Sequence, residues 1–144
     1  MFTPRSGVHK YCSESCKGKA KYVFGYETTK KQYMKISGNW SRYFDRLLGK
    51  GRKGVLSRND LLVILKKQSG KCALSGIELT CTLEQGTRFL TNASIDRIQA
   101  GGTYAPENVQ LVCSALNGFR SNCTVEDFIY FCKAVTNYQS SLEK

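Results

Sequence analysis

Apolar residues recur at helical spacing in three stretches and gather in two short runs between them. In NWSRYFDRLLG (39–49), Trp40, Tyr43, Phe44, Leu47 and Leu48 fall on one side of a 3.6-residue period, which predicts a short amphipathic helix. A second helix is predicted from Ser57 to Gln68. Ser57 is the N-cap with Asp60 three residues on, Gly70 is the stop, and Leu61, Leu62, Ile64 and Leu65 are the core stripe. Thr124 with Asp127 repeats the capping signature and opens a last helix. Its buried face is expected to be Phe128, Ile129, Phe131, Cys132 and Val135, with fraying from about Asn137. Between the second and last helices, Phe89 to Ile98 has strand composition, Gly101-Gly102 is a turn signal, Val109 to Cys113 suits a second strand and Ser114 to Arg120 a short helix. The expected class is α+β, one domain at 144 residues.

Charge divides the chain unevenly. Residues 1–60 hold 14 Lys and Arg against 4 Asp and Glu, a net of +10, and the remainder holds 8 against 7, a net of +1. The basic part includes an aromatic-rich stretch (Tyr11, Tyr22, Phe24, Tyr26, Tyr33) and the loop GKGRKG, with Lys50, Arg52 and Lys53. Such a basic half is expected to face a polyanion, and duplex DNA is the default because neutralising phosphates releases counterions. Arg42 on the first predicted helix joins those three as a candidate DNA contact. A charged face kept only for solubility is the plainer alternative. No apolar run reaches the length of a membrane helix, no basic stretch has a strong apolar face, and the N-terminus lacks an apolar export region. A cytoplasmic protein with reduced thiols is therefore expected from the seven cysteines. The organisation read from this is a basic, DNA-contacting region over residues 1–56 and a functional core over 57–144.

The chemistry concentrates in SIDRIQAGGTYAPENVQLVCSALNGFRSN (Ser94 to Asn122). A hairpin followed by a helix puts Asp96, late in the first strand, near Asn117 on the helix. One hard cation can bridge both oxygens and keep open positions for water and substrate, as Mg²⁺ prefers.

The ordered set Asp96-Arg97, Tyr104, Asn108 and Asn117 resembles the ββα-metal motif of HNH endonucleases. The KCALSG turn (Lys71 to Gly76), NVQLVC on the second strand and the basic Arg120 agree with it. The resemblance covers about half the chain, Lys71 to roughly Val135. It implies that Asp96 and Asn117 ligate Mg²⁺ or Mn²⁺, that Asn108 orients the loop, and that Arg97 and Arg120 offset phosphate charge. The usual histidine base is absent: the only histidine, His9, is remote, and Arg97 follows Asp96. This Asp-Arg…Tyr arrangement is similar to a minority branch that uses tyrosine as the base, which points to Tyr104, with a metal-ordered water as the alternative. A free tyrosine titrates near 10, so the role requires a nearby cation to favour the phenolate.

Many such relatives also hold zinc between two CxxC knuckles. Here each knuckle keeps one cysteine, Cys72 and Cys113. Two thiolates fall short of the four ligands of a closed site, so packing, with Leu116 in a vacated place, is expected instead of zinc. Cys81 or Cys123 would complete only an irregular site. His9, Cys12 and Cys16 have ligand-like spacing and are a second candidate zinc cluster.

The resulting expectation is a metal-dependent DNA endonuclease leaving 5′-phosphate and 3′-hydroxyl ends. The alternatives are a non-catalytic DNA-binding module with a degenerate HNH fold, or a structural or RNA-binding basic protein. A single metal site cuts one strand, so a double-strand break calls for a homodimer or two encounters, and the sequence shows no dimer signature.

Overall fold

The capping signals set the helices. In the computed structural model, which describes residues 15, 28–49, 55–84, 87 and 89–143, a first helix α1 covers 28–36 and α2 runs Trp40–Leu48. Asn39 caps α2, its side chain accepting from the Arg42 N–H at 3.0 Å. Helix α3 is Arg58–Lys67. Its capping box is complete: Ser57 Oγ accepts from the Asp60 N–H, and the Asp60 carboxylate accepts from the Ser57 N–H at 2.8 Å. Those backbone and hydroxyl bonds from Ser57 hold the Asp60 carboxyl below its ordinary value. The chain leaves α3 through Gly70, at φ +73°, where the left-handed backbone favours glycine.

Strands β1 (Ala93–Arg97) and β2 (Val109–Cys113) pair antiparallel with Ile95 opposite Leu111 and Asp96 opposite Gln110. Helix α4 (Ser114–Arg120) follows β2 directly, and α5 (Val125–Leu142) closes the chain. The described residues thus form an α+β fold of five helices and one two-stranded antiparallel sheet. β1 is shorter than the predicted Phe89–Ile98. Asn92 breaks the run: its side chain bonds Thr80 Oγ1 and the Thr82 backbone on both sides, which turns the chain before the ladder starts.

One core joins these elements. Phe44 of α2, Leu61 of α3, Ile95 of β1 and Leu111 and Val112 of β2 are fully buried. Helix α2, read from sequence as part of the basic region, thus shares the core of the hairpin. Removing such side chains from water supplies about 1.5–3 kcal/mol each.

The sheet has only two strands, yet side chains meet both of its outer edges. Along β1, the Ala93 carbonyl accepts from Tyr43 Oη at 2.8 Å, the Ile95 carbonyl from Asn117 Nδ2 at 3.3 Å and the Arg97 carbonyl from Arg120 Nη2 at 3.1 Å. Along β2, the Gln68 amide bonds both backbone groups of Leu111, at 2.8 and 2.9 Å.

The last helix departs from expectation. None of its residues is buried, and Ile129, Phe131 and Val135, expected in the core, are exposed. Nor does it fray at Asn137, since helical geometry continues to Leu142. The stripe has the right period for a core but, among the described residues, nothing packs over it. No helix of the described residues is long and apolar enough to cross a membrane.

Candidate active site

Asp96 sits at the end of β1 with its side chain 3% exposed. Two donors hold it. Gln110, its cross-strand neighbour, donates Nε2 to Oδ2 at 2.9 Å, and Arg120 of α4 donates Nη1 to Oδ1 at 2.5 Å. Arg120 is itself 1% exposed and also donates Nη2 to the Arg97 and Ile98 carbonyls at 3.1 and 3.2 Å. Its Nε has no partner among the described residues. The resemblance puts Arg120 against phosphate; its side chain is buried against Asp96 yet lines the adjoining cavity. It is held there because α4 starts straight after β2 and its last turn lies over the end of β1, where the Asp96 carboxylate and two carbonyls demand a multidentate donor.

Asn117, one turn earlier on α4, donates Nδ2 to Ser94 Oγ at 2.7 Å and to the Ile95 carbonyl. With the amide nitrogen committed to β1, the amide oxygen is the atom left for the adjoining cavity. That cavity has a volume of about 150 Å³ and is lined by Asp96, Arg97, Tyr104, Asn117 and Arg120, with Ile95, Ala100 and Ser121-Asn122 completing the rim. Asp96 and Asn117, 21 residues apart in sequence, therefore face one space, together with Arg97 and Tyr104.

The loop from β1 to β2 positions Arg97 and Tyr104. Arg97 donates Nη1 to the Gly102 carbonyl at 3.1 Å, and its guanidinium carbon lies 5.1 Å from the centre of the Tyr104 ring, a cation–π contact. Asn108 stands outside the cavity and clasps the loop: Oδ1 accepts from the Gln99 N–H and Nδ2 donates to the Thr103 carbonyl, both at 2.9 Å. The clasp explains Gly102. A Cβ there would lie 2.5 Å from Asn108 Nδ2, closer than packed atoms approach. Asn108 thus holds the loop through its backbone.

The donor set is one carboxylate and one amide oxygen. It fits a hard cation that keeps most of its waters, as Mg²⁺ does, and does not make a closed protein cage. Each Asp96 oxygen has one donor and a second lone pair, so neither is saturated. The cavity wall carries one carboxylate against two guanidiniums, a net formal charge of +1. That balance resists a lone divalent cation and suits an anion such as a phosphate ester.

Of the other candidates, Arg42 lies on the exposed face of α2 and donates Nη1 to the Lys35 carbonyl. Lys50, Arg52, Lys53, His9, Cys12 and Cys16 lie outside the described residues. Cys72 and Cys113 meet in the core, the Cys113 N–H donating to Cys72 Sγ at 3.3 Å. Burial pushes the Cys72 thiol up, but hydrogen bonds from the Ser75 hydroxyl and the Cys113, Leu74 and Ser75 backbone outweigh it and leave it below its ordinary value. Burial and then the charge of Cys72 push Cys113 up. The Cys72 sulfur is thus held by hydrogen bonds from the 74–75 turn and from Cys113. Among the described residues no three His, Cys, Asp or Glu side chains gather as metal ligands.

Sequence reasoning missed Gln110 and Ser94. The signal for Gln110 was available, since pairing the two strands about the 98–108 connection sets it opposite Asp96. Compared with known proteins, the chain matches no family model, no curated protein and no solved structure.

Proposed function

We propose that this chain is a divalent-metal-dependent endonuclease of duplex DNA, built on a ββα-metal core of the HNH kind. One observation carries the reading: β1, its following loop and α4 bring Asp96, Arg97, Tyr104 and Asn117 to a single cavity. When bound, Mg²⁺ or Mn²⁺ supplies Lewis-acid polarisation of the phosphate and stabilisation of the leaving 3′ oxygen. The Asp96 carboxylate and the Asn117 amide oxygen would hold it. The Tyr104 phenolate takes the proton of the attacking water as the water oxygen bonds to phosphorus; the P–O3′ bond breaks, the 3′ oxygen takes a proton from solvent, and the ends are a 5′-phosphate and a 3′-hydroxyl. Arg97 offsets charge on the phosphate, Arg120 keeps the Asp96 carboxylate in place, and Asn108 fixes the loop that carries Tyr104. Zinc is not part of this reading.

The basic half supplies affinity along the DNA backbone. Lys30, Lys31, Lys35 and Arg42 are exposed on α1 and α2, and Lys50, Arg52 and Lys53 extend the same charge in sequence. Such contacts make binding fall steeply with salt. A cytoplasmic setting goes with this reading.

A second reading has its own support. The Asp96 carboxylate already has a counter-ion in Arg120, as suits a fold that binds DNA without cutting it. Supercoiled plasmid with Mg²⁺ or Mn²⁺ separates the two. Nicked or linear product from the parent, lost in Asp96→Asn and reduced in Tyr104→Phe, is the expected result. Because Asn117 also bonds the Ile95 carbonyl, any variant at that position, like the others, is checked by circular dichroism for its fold. Salt-sensitive binding with no nicking under either metal would leave the non-catalytic reading standing. Near-normal cutting by Tyr104→Phe would remove tyrosine from the mechanism.

A further inference from the structure

Helix α5 presents an apolar face with a stricter period than a globular core requires. Phe128, Phe131, Val135, Tyr138 and Leu142 are spaced three and four residues apart in alternation, the a and d positions of a heptad repeat. Among the described residues nothing covers them: Phe131, Val135, Tyr138 and Leu142 are each 61–63% exposed. A groove of about 490 Å³ runs beside them, walled by Phe119, Cys123, Phe128 and Cys132.

We propose that this face is the seam at which two copies of the chain pair, α5 against α5, in antiparallel direction. The charges favour a copy of this chain over nucleic acid. A protein of net charge +11 repels its own copy overall, yet the flanking e and g positions of α5 (Val125, Cys132, Ala134, Gln139, Ser141) are uncharged apart from Asp127. Lys133 occupies the f position, on the far side of the helix from the stripe. With no cation at or beside the stripe, the face has nothing to offer a phosphate backbone.

The area suffices. Aromatic side chains bury roughly 150–250 Å² each. At the exposures of the stripe and Phe119, on the order of 600 Å² is open on each copy, and about 1,200 Å² across a pair is the lower bound of stable, specific interfaces.

The direction follows from register. Antiparallel coils stack an a residue on a d residue of the partner helix. With the twofold axis at Lys133, the middle of the 18-residue helix, Phe128 lies opposite the copy's Tyr138 and Phe131 opposite the copy's Val135. A parallel pair would instead align the two helix dipoles and bring both acidic first turns, Glu126 and Asp127, to the same end. The inference stands whether or not the cavity cuts DNA.

Sedimentation velocity of the full chain from roughly 5 to 200 µM tests it. A concentration-dependent dimer is expected, with Phe131→Glu and Val135→Lys each weakening association about 100-fold or more and leaving circular dichroism and the Tm of the dilute monomer unchanged, since neither residue is in the core. Mixing the two variants should restore a heterodimer, because the antiparallel register sets the two substituted positions, and so their opposite charges, against each other. A parent that stays monomeric overturns the proposal, as does a dimer indifferent to both variants. Variants that unfold, or a monomer whose α5 amides resist hydrogen exchange, would show the face to be covered by the chain itself and overturn it equally. Failure of the mixture to associate overturns the antiparallel register.

Discussion

Replacing Arg120 by methionine tests the hub of the site. Methionine is close in length but leaves the Asp96 carboxylate, 3% exposed, with Gln110 as its remaining side-chain donor. Removing one partner of a buried ion pair typically costs about 3–5 kcal/mol. The Arg97 and Ile98 carbonyls also lose their guanidinium donor, at about 1 kcal/mol each. Against this, the variant is relieved of the partnerless Nε, worth about 1–3 kcal/mol. The two smaller effects nearly cancel, so a loss of about 3–5 kcal/mol is expected, a large share of the roughly 5–15 kcal/mol that holds a domain together. At about 2–4 °C per kcal/mol for this length, Tm falls by about 10 °C. Urea unfolding followed by circular dichroism at pH 7 measures it. Repeating it in 1 M NaCl should leave the difference intact, because a buried pair is little screened. Asp96→Asn on top of Arg120→Met removes the stranded charge, so the double variant should be more stable than Arg120→Met alone, with a coupling of about 2 kcal/mol or more. A single variant within about 1 kcal/mol of the parent, or effects that simply add, would refute the pairing as the source of the stability.

Gly102→Ala should displace the Asn108 amide, destabilise by about 1–3 kcal/mol and reduce nicking by loosening the Tyr104 loop; an unchanged urea midpoint would contradict the clasp geometry. Burial raises the Cys81 thiol above its ordinary 9.0. Its contribution to stability is therefore complete below that value and lost as pH rises through the raised one, so unfolding free energy should fall above pH 9, and fall less in Cys81→Ala. Cys72, held below its ordinary value, works in the opposite sense. If Asp96 ligates a divalent ion, Mn²⁺ should raise the Tm of Arg120→Met more than that of the parent, since the ion then supplies the missing positive charge; equal shifts would place the ion elsewhere.

Much of the fold was legible because its signals are local. Ser57 with Asp60 marks α3 within a residue, and the Gly101-Gly102 turn between two β-branched runs marks the hairpin. The meeting of Asp96 and Asn117 was legible for the same reason: strand, strand and helix follow one another with little slack. What escaped depends on partners distant in sequence. Arg120 reads like any surface arginine until its carboxylate, 24 residues earlier, is placed beneath it. Gln68 carries no mark of its bonds to Leu111, 43 residues on. The α5 stripe could not be assigned, since apolar periodicity states that a face is to be covered and not by what.

Two strands alone leave two raw edges, and raw edges are where foreign strands add and fibrils begin. Here Tyr43, Asn117 and Arg120 engage the carbonyls of one edge, and Gln68 takes both groups of Leu111 on the other. Two of these plugs, Asn117 and Arg120, also line the candidate cavity. On the proposed reading, the side chains that serve the cavity also close the sheet edge, so replacing either one would open strand carbonyls to foreign strands as well as alter the site.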